Sequence, residues 1–169
     1  MPFKDSVEVT MSNTSSELIS VFETFDEESD VPIDAMIDDI GPGEVAEFIQ
    51  FVESKPIDSV AFFMSHCAHL DNACREWLLK NRDHESDEVS YWCSAGLLGS
   101  DSHKEGLDSI IKLSERAYKA GSHQLLFDIV EVLSEVGAVE ATKEVGRLAL
   151  EITPQGSSNY TSLTSIVPK

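Results

Sequence analysis

The side chains best suited to chemistry lie between residues 66 and 93: His66, Cys67 and His69 in one run, Cys74 shortly after, then His84 and Cys93. Imidazole and thiolate are the preferred ligands of zinc, and structural zinc sites gather four of them at short, regular spacings. The spacing here makes no such knuckle. There is no C-x-x-C pair, His66 and His69 sit three apart on a predicted helix, and Cys67 falls on that helix's apolar stripe. Cys67 therefore reads as a small buried hydrophobe, and no metal or other cofactor is expected. A cysteine nucleophile needs a neighbouring base to become thiolate. His66, His69 or His123 stands near enough in sequence only by coincidence, and neither G-x-S-x-G nor any acid–base motif frames a candidate.

Two further stretches imitate ligand loops without completing them. Asp26-Glu27-Glu28-Ser29-Asp30 has acids at the first, third and fifth positions of a calcium loop. Its sixth position is Val31 rather than glycine, Pro32 follows, and its twelfth is Ile37 rather than glutamate, so the chelating turn does not close. Gly41-Pro42-Gly43 opens a helix but lacks the following glycine or lysine of a phosphate loop. The chain reads as a non-enzyme.

Charge is the strongest functional signal. The 169 residues include 31 acids and 12 bases, a net charge of -19, with a pI near 4.4. That sign disfavours direct contact with nucleic acid or an anionic membrane. It is also uneven, because residues 1–60 hold 15 acids against Lys4 and Lys55, whereas the remainder holds 16 acids and 10 bases. Glu27, Glu28, Asp30, Asp34, Asp38, Asp39, Glu44 and Glu47 are the densest cluster and the candidate partner-binding residues. Charges this crowded repel one another, so a compensating use is expected: steering onto a basic protein surface, or imitation of a phosphate backbone. The competing reading is a solubilising face.

The elements that position these residues are all helical. Apolar residues recur at helical spacing from end to end, which predicts an all-α fold of about nine helices in an irregular bundle or short HEAT-like α-solenoid. The expected helices are 16–25, 32–40 opened by Pro32, 44–53, 59–69 capped by Asp58, 72–82 capped by Asn72, and 87–98 with Trp92 and Ala95 inward. A seventh starts at a Ser102/Glu105 capping box, turns Leu107, Ile110, Ile111, Ala117 and Tyr118 inward, and stops at Gly121; 122–136 and 139–152 follow. Residues 1–153 form one helical domain, an acidic front (14–58) joined to a stack of helix pairs (59–152), and the Ser/Thr-rich residues 154–169 form a flexible tail.

Helix pairs starting near 59, 87 and 122 give a period of 28–35 residues, and in that respect the later part resembles degenerate HEAT-like or armadillo-like repeats. Three cysteines cannot all pair in one chain, no apolar run reaches the roughly 18 residues of a membrane span, and the first residues lack a basic start and an apolar core. A cytoplasmic location is expected. In size, charge and helical pattern the chain resembles the small acidic immunity proteins that neutralise bacterial toxins. That resemblance implies a stoichiometric inhibitor of a basic, DNA- or RNA-directed toxin, with an exposed aromatic such as Tyr91 as anchor. A phage-encoded DNA mimic that inhibits a host nucleic-acid-binding or defence protein, and a helical-repeat scaffold, are the other expectations.

Overall fold

The computed structural model describes residues 13–25 and 45–168. Among them are nine α-helices and no strand. They are α1 (Asn13–Thr24), α2 (Ala46–Val52), α3 (Ile57–Cys67), α4 (Asn72–Asn81), α5 (Asp87–Leu98), α6 (His103–Ala120), α7 (His123–Glu135), α8 (Val139–Ile152) and α9 (Ser158–Ile166). The fold is all-α. The helix expected over 32–40 lies outside the described residues, and α9 is an addition.

Substantial packing joins only helices that are one or two apart in this order, most extensively α5 with α6 and α3 with α5. Two cores result, and they differ in chemistry. The first is aromatic: Phe63 of α3 meets Phe22 of α1 at 5.2 Å and Phe48 of α2 at 5.6 Å between ring centroids. Phe25 stacks on Phe62 at 5.3 Å, and Phe62 in turn meets Trp92 of α5 at 4.6 Å. The second core is aliphatic, built on Ile110 and Leu113 of α6, Leu126, Ile129 and Leu133 of α7, Val145 of α8 and Leu163 of α9. The two meet inside α5, where Leu97 belongs to the first and Leu98 to the second. The packing boundary thus falls near residue 98, whereas the charge boundary falls near 58, because α1 and α2 bury their apolar faces directly against α3.

Helix ends account for several differences from expectation. Pro56, not Asp58, occupies the cap position of α3, and Asp58 sits in its first turn, where a carboxylate favours the exposed N–H groups. Asp71 rather than Asn72 caps α4: its carboxylate accepts the Ala73 N–H at 2.7 Å, while Asn72 is the first helical residue. Ser102 stands at the cap of α6 with φ -98°, ψ 32° and its side chain makes no cap bond, so the expected capping box is not formed. The reason is the short link from α5. Ser100 Oγ donates to Leu97 O at 2.8 Å and accepts the Ser102 N–H at 3.1 Å, which ties the start of α6 to the end of α5.

At the other end of α6, Gly121 adopts φ 71°. Its N–H reaches Tyr118 O at 3.1 Å and the Ser122 N–H reaches Ala117 O at 2.9 Å, a left-handed stop that satisfies two open carbonyls and turns the chain into α7. The inner face of α6 is also rotated from expectation. Gly106, Ser109, Ile110, Leu113, Ser114 and Ala117 are buried, whereas Leu107, Ile111 and Tyr118 are half-buried. Small residues line it because α5 lies so close: a Cβ on Gly106 would stand 2.7 Å from Leu98 N and 2.9 Å from Ser94 O. On α5 itself Val89, Cys93 and Leu97 are buried, and Trp92 and Ala95 are half-buried.

Residues 154–169, expected as a flexible tail, contain a docked helix. Ser157 Oγ caps α9 by accepting the Tyr160 N–H at 3.2 Å, Leu163 is fully buried, and Val167 rests on Gly146 of α8. Leu163, Ile166 and Val167 fall three and four apart, enough apolar surface to hold a helix of otherwise weak helix formers.

Candidate functional site

Seven of the eight acids singled out from sequence, Glu27, Glu28, Asp30, Asp34, Asp38, Asp39 and Glu44, lie outside the described residues. So do the calcium-like stretch 26–37 and Gly41-Pro42-Gly43. The eighth, Glu47, is half-buried on α2, where its carboxylate accepts a 2.9 Å hydrogen bond from Ser15 Oγ. Ser15 is buried on α1, so this contact fastens the first two described helices together.

The sulfur and imidazole groups are dispersed by the fold. Cys67, Cys74 and Cys93 are fully buried, with no exposed surface. Burial, reinforced at Cys74 by the Asp71 carboxylate, pushes the Cys74 and Cys93 thiols up to about 12. His84 Nδ1 is engaged by the Ser86 N–H at 3.0 Å. Among the described residues no three His, Cys, Asp or Glu side chains are grouped to hold a metal ion. Since alkylation needs both access and thiolate, iodoacetamide at pH 8 is expected to leave the folded chain unmodified and to label all three cysteines in concentrated urea, read by intact mass.

The arrangement with the clearest binding chemistry is a groove of about 580 Å³ between α5 and the start of α7. Glu88, Tyr91 and Trp92 recur at i, i+3 and i+4 on one face of α5, and Gln124 and Asp128 recur at i and i+4 on α7. The Gly121 turn brings the two faces together. Trp92 is anchored by Phe62, and Tyr91 lies edge-on to Trp92 at 5.0 Å, so the aromatic floor is rooted in the first core. The Tyr91 hydroxyl donates to the main-chain oxygen of Asp128 at 3.4 Å, a long bond that spans the groove.

Asp128 is held from behind. Its carboxylate accepts from Gln124 Nε2 at 2.8 Å, and Gln124 Oε1 accepts from Asn159 Nδ2 of α9 at 2.8 Å. The helix at the C-terminal end of the chain thereby orients an acid in the groove. Burial raises the pKa of Asp128, against the opposing effect of the Gln124 hydrogen bond. Tyr91 is raised by burial first and then by the carboxylates of Asp128, Glu135 and Glu131. Three carboxylates therefore bear on the Tyr91 hydroxyl.

Among the described residues no Lys or Arg lines the groove, and His123 is its basic side chain. Asp87, at its rim, is paired with Arg116 at 2.6 Å, whereas Glu88 is exposed and takes part in none of the ion pairs among the described residues. Carboxylates beside aromatic faces are the set that holds a cation. A second depression, of about 360 Å³ between α2 and α4, has Trp77 with Glu53, Glu76 and Lys80, and so lacks a single sign of charge. Of the groove residues, only Tyr91 stood out in the sequence as a binding candidate. The signal for the rest was the Glu88/Tyr91/Trp92 spacing, polar and aromatic on a face the apolar stripe leaves free.

Among the described residues no helix is long and apolar enough to cross a membrane. Comparison with known proteins finds no match to this chain: no family model matches, and neither a curated protein nor a solved structure does.

Proposed function

We propose that this protein is a non-enzymatic, protein-binding inhibitor, an immunity protein whose acidic surface covers the basic cleft of a cognate toxin, a nuclease being the class that fits. One observation carries the reading: the excess of acid is not consumed within the fold. Among the described residues the ion pairs engage only Asp83, Asp87, Asp101 and Asp108, out of the 21 acids that those residues include. Such exposed pairs contribute about 0–1 kcal/mol each, so they do not explain why the chain carries so much charge of one sign. A surface left this negative accelerates and orients encounter with a basic partner.

The test is capture of partners from the native cell with the full chain, followed by assay of what is captured. The expected partner is one basic protein, retained at about 0.05 M salt and released by about 0.5 M, whose nuclease activity falls to background at equimolar inhibitor. Reversing Asp34, Asp38, Asp39 and Glu44 to lysine should slow association and flatten its salt dependence. Binding indifferent to salt and to those reversals would remove the electrostatic reading.

A helical-repeat scaffold is the second reading, favoured by the mixed aromatic and acidic lining of the α5–α7 groove. It differs in outcome: several partners are captured together and none loses activity.

A further inference from the structure

We propose that the α5–α7 groove is a docking site for an arginine-bearing segment of a partner protein, with the guanidinium seated between the Tyr91 and Trp92 rings and the Glu88 and Asp128 carboxylates. The inference deepens the basic-partner reading above and rests on it, but places recognition on a surface other than the acidic cluster first read from the sequence.

Charge complementarity selects the occupant. The groove is lined by two aromatic rings and three carboxylates against one basic side chain, His123; Arg116 at the rim is taken up by Asp87, and Glu131 and Glu135 add to the field that Tyr91 experiences. A planar guanidinium stacks on aromatic faces and pairs with carboxylates at the same time, and it loses less hydration than an ammonium when it does so. The site is also built in advance of binding. Trp92 is fixed by Phe62, and Asp128 is fixed through Gln124 and Asn159, so little ordering remains when a ligand arrives. The groove is open rather than a closed cage, which suits a side chain carried on a peptide segment better than a free small cation.

The probe is an end-blocked Gly-Arg-Gly-Arg-Gly peptide, titrated into the full-length ¹⁵N-labelled chain at low salt, with the citrulline version of the same peptide and guanidinium ion as comparisons. The expected result is a set of shifted amides confined to 88–92 and 121–128, with the Trp92 indole N–H, and weak or no response to citrulline or guanidinium. Glu88→Lys should weaken the arginine peptide about tenfold. Glu17→Lys, the same change in net charge on an exposed position of α1, should weaken it no more than about twofold. Equal losses in the two variants, or shifts spread over the whole acidic surface, would overturn the groove while leaving the basic-partner reading standing. Equal binding of the citrulline peptide would overturn cation recognition, and guanidinium binding as tightly as the peptide would make this a small-cation pocket instead. The proposed inhibitor role fails separately, in the capture and activity assay.

Discussion

Phe63→Ala is expected to destabilise the protein by about 3–5 kcal/mol, the range for emptying an aromatic site in a core that relaxes only partly. Phe63 is fully buried at the centre of the first core, in contact with the rings of Phe22, Phe25 and Phe48. Those rings come from α1, the residue that follows it, and α2, so one truncation leaves a void shared by three helices. Each edge-to-face pair contributes about 0.5–1.5 kcal/mol beyond its area, and two of them, to Phe22 and Phe25, are lost together with the tilted contact to Phe48. Equilibrium urea unfolding measures the effect as a large fall in midpoint. Val139→Ala on α8 is the matched control, since Val139 is 55% exposed and should shift the midpoint little. A small effect at Phe63 would mean that the aromatic cluster is not the centre of the first core.

Gly96→Ala adds one methyl and is expected to destabilise nonetheless. A Cβ there would stand 2.7 Å from Ser65 Cα and 2.9 Å from Ser65 O, main-chain atoms of α3 that cannot rotate away. The helices must separate, and overpacking of this kind costs about 1–3 kcal/mol. Alanine recovers up to about 1 kcal/mol of helix propensity, so the net change remains unfavourable. Gly146→Ala distinguishes this mechanism from a general intolerance of glycine replacement. The nearest atoms to its new Cβ all belong to the side chain of Val167, which follows α9 and can shift. That variant should keep or raise the urea midpoint while loosening the end of α9, visible as faster amide exchange at Val167. Equal losses at both glycines would point away from the α3–α5 contact as the cause.

These two sites mark where the sequence was and was not readable. α5 and α8 have the ends expected of them, because a turn-rich segment precedes the first and Gly137 precedes the second. Hydrophobic periodicity found the aromatic and aliphatic stripes, but it scores large apolar residues and passes over small ones. It therefore picked out Leu107, Ile111 and Tyr118 of α6, which pack half-buried against the second core, and passed over Gly106, Ser109 and Ser114, which are buried. α9 was missed for a related reason. Its Ser and Thr residues have weak helix propensity, and only tertiary burial of Leu163 outweighs them. The capping box failed because Ser102 is too near the end of α5 to adopt the extended backbone that a capping hydroxyl needs.

The candidate site was legible only in part, since charge counts show that a surface is acidic without showing where it becomes concave. The groove forms where α5 and the start of α7 come together beside the left-handed turn at Gly121. Nothing in the spacing of Glu88 and Asp128, forty positions apart, announces that they share a wall.

The helices that pack only on those one or two places along the chain have a consequence for synthesis. Every partner that Leu18, Phe48, Phe63 and Trp92 require has emerged once residue 97 leaves the ribosome. The aromatic half can therefore condense while the aliphatic half is still being made, and α5 then presents its last turn as a finished template on which α6 is laid. The groove comes last of all: its floor exists early, but its acid wall is set only when α9 arrives to hold Gln124. A nascent chain would thus lack the finished wall of this surface until α9 has been translated.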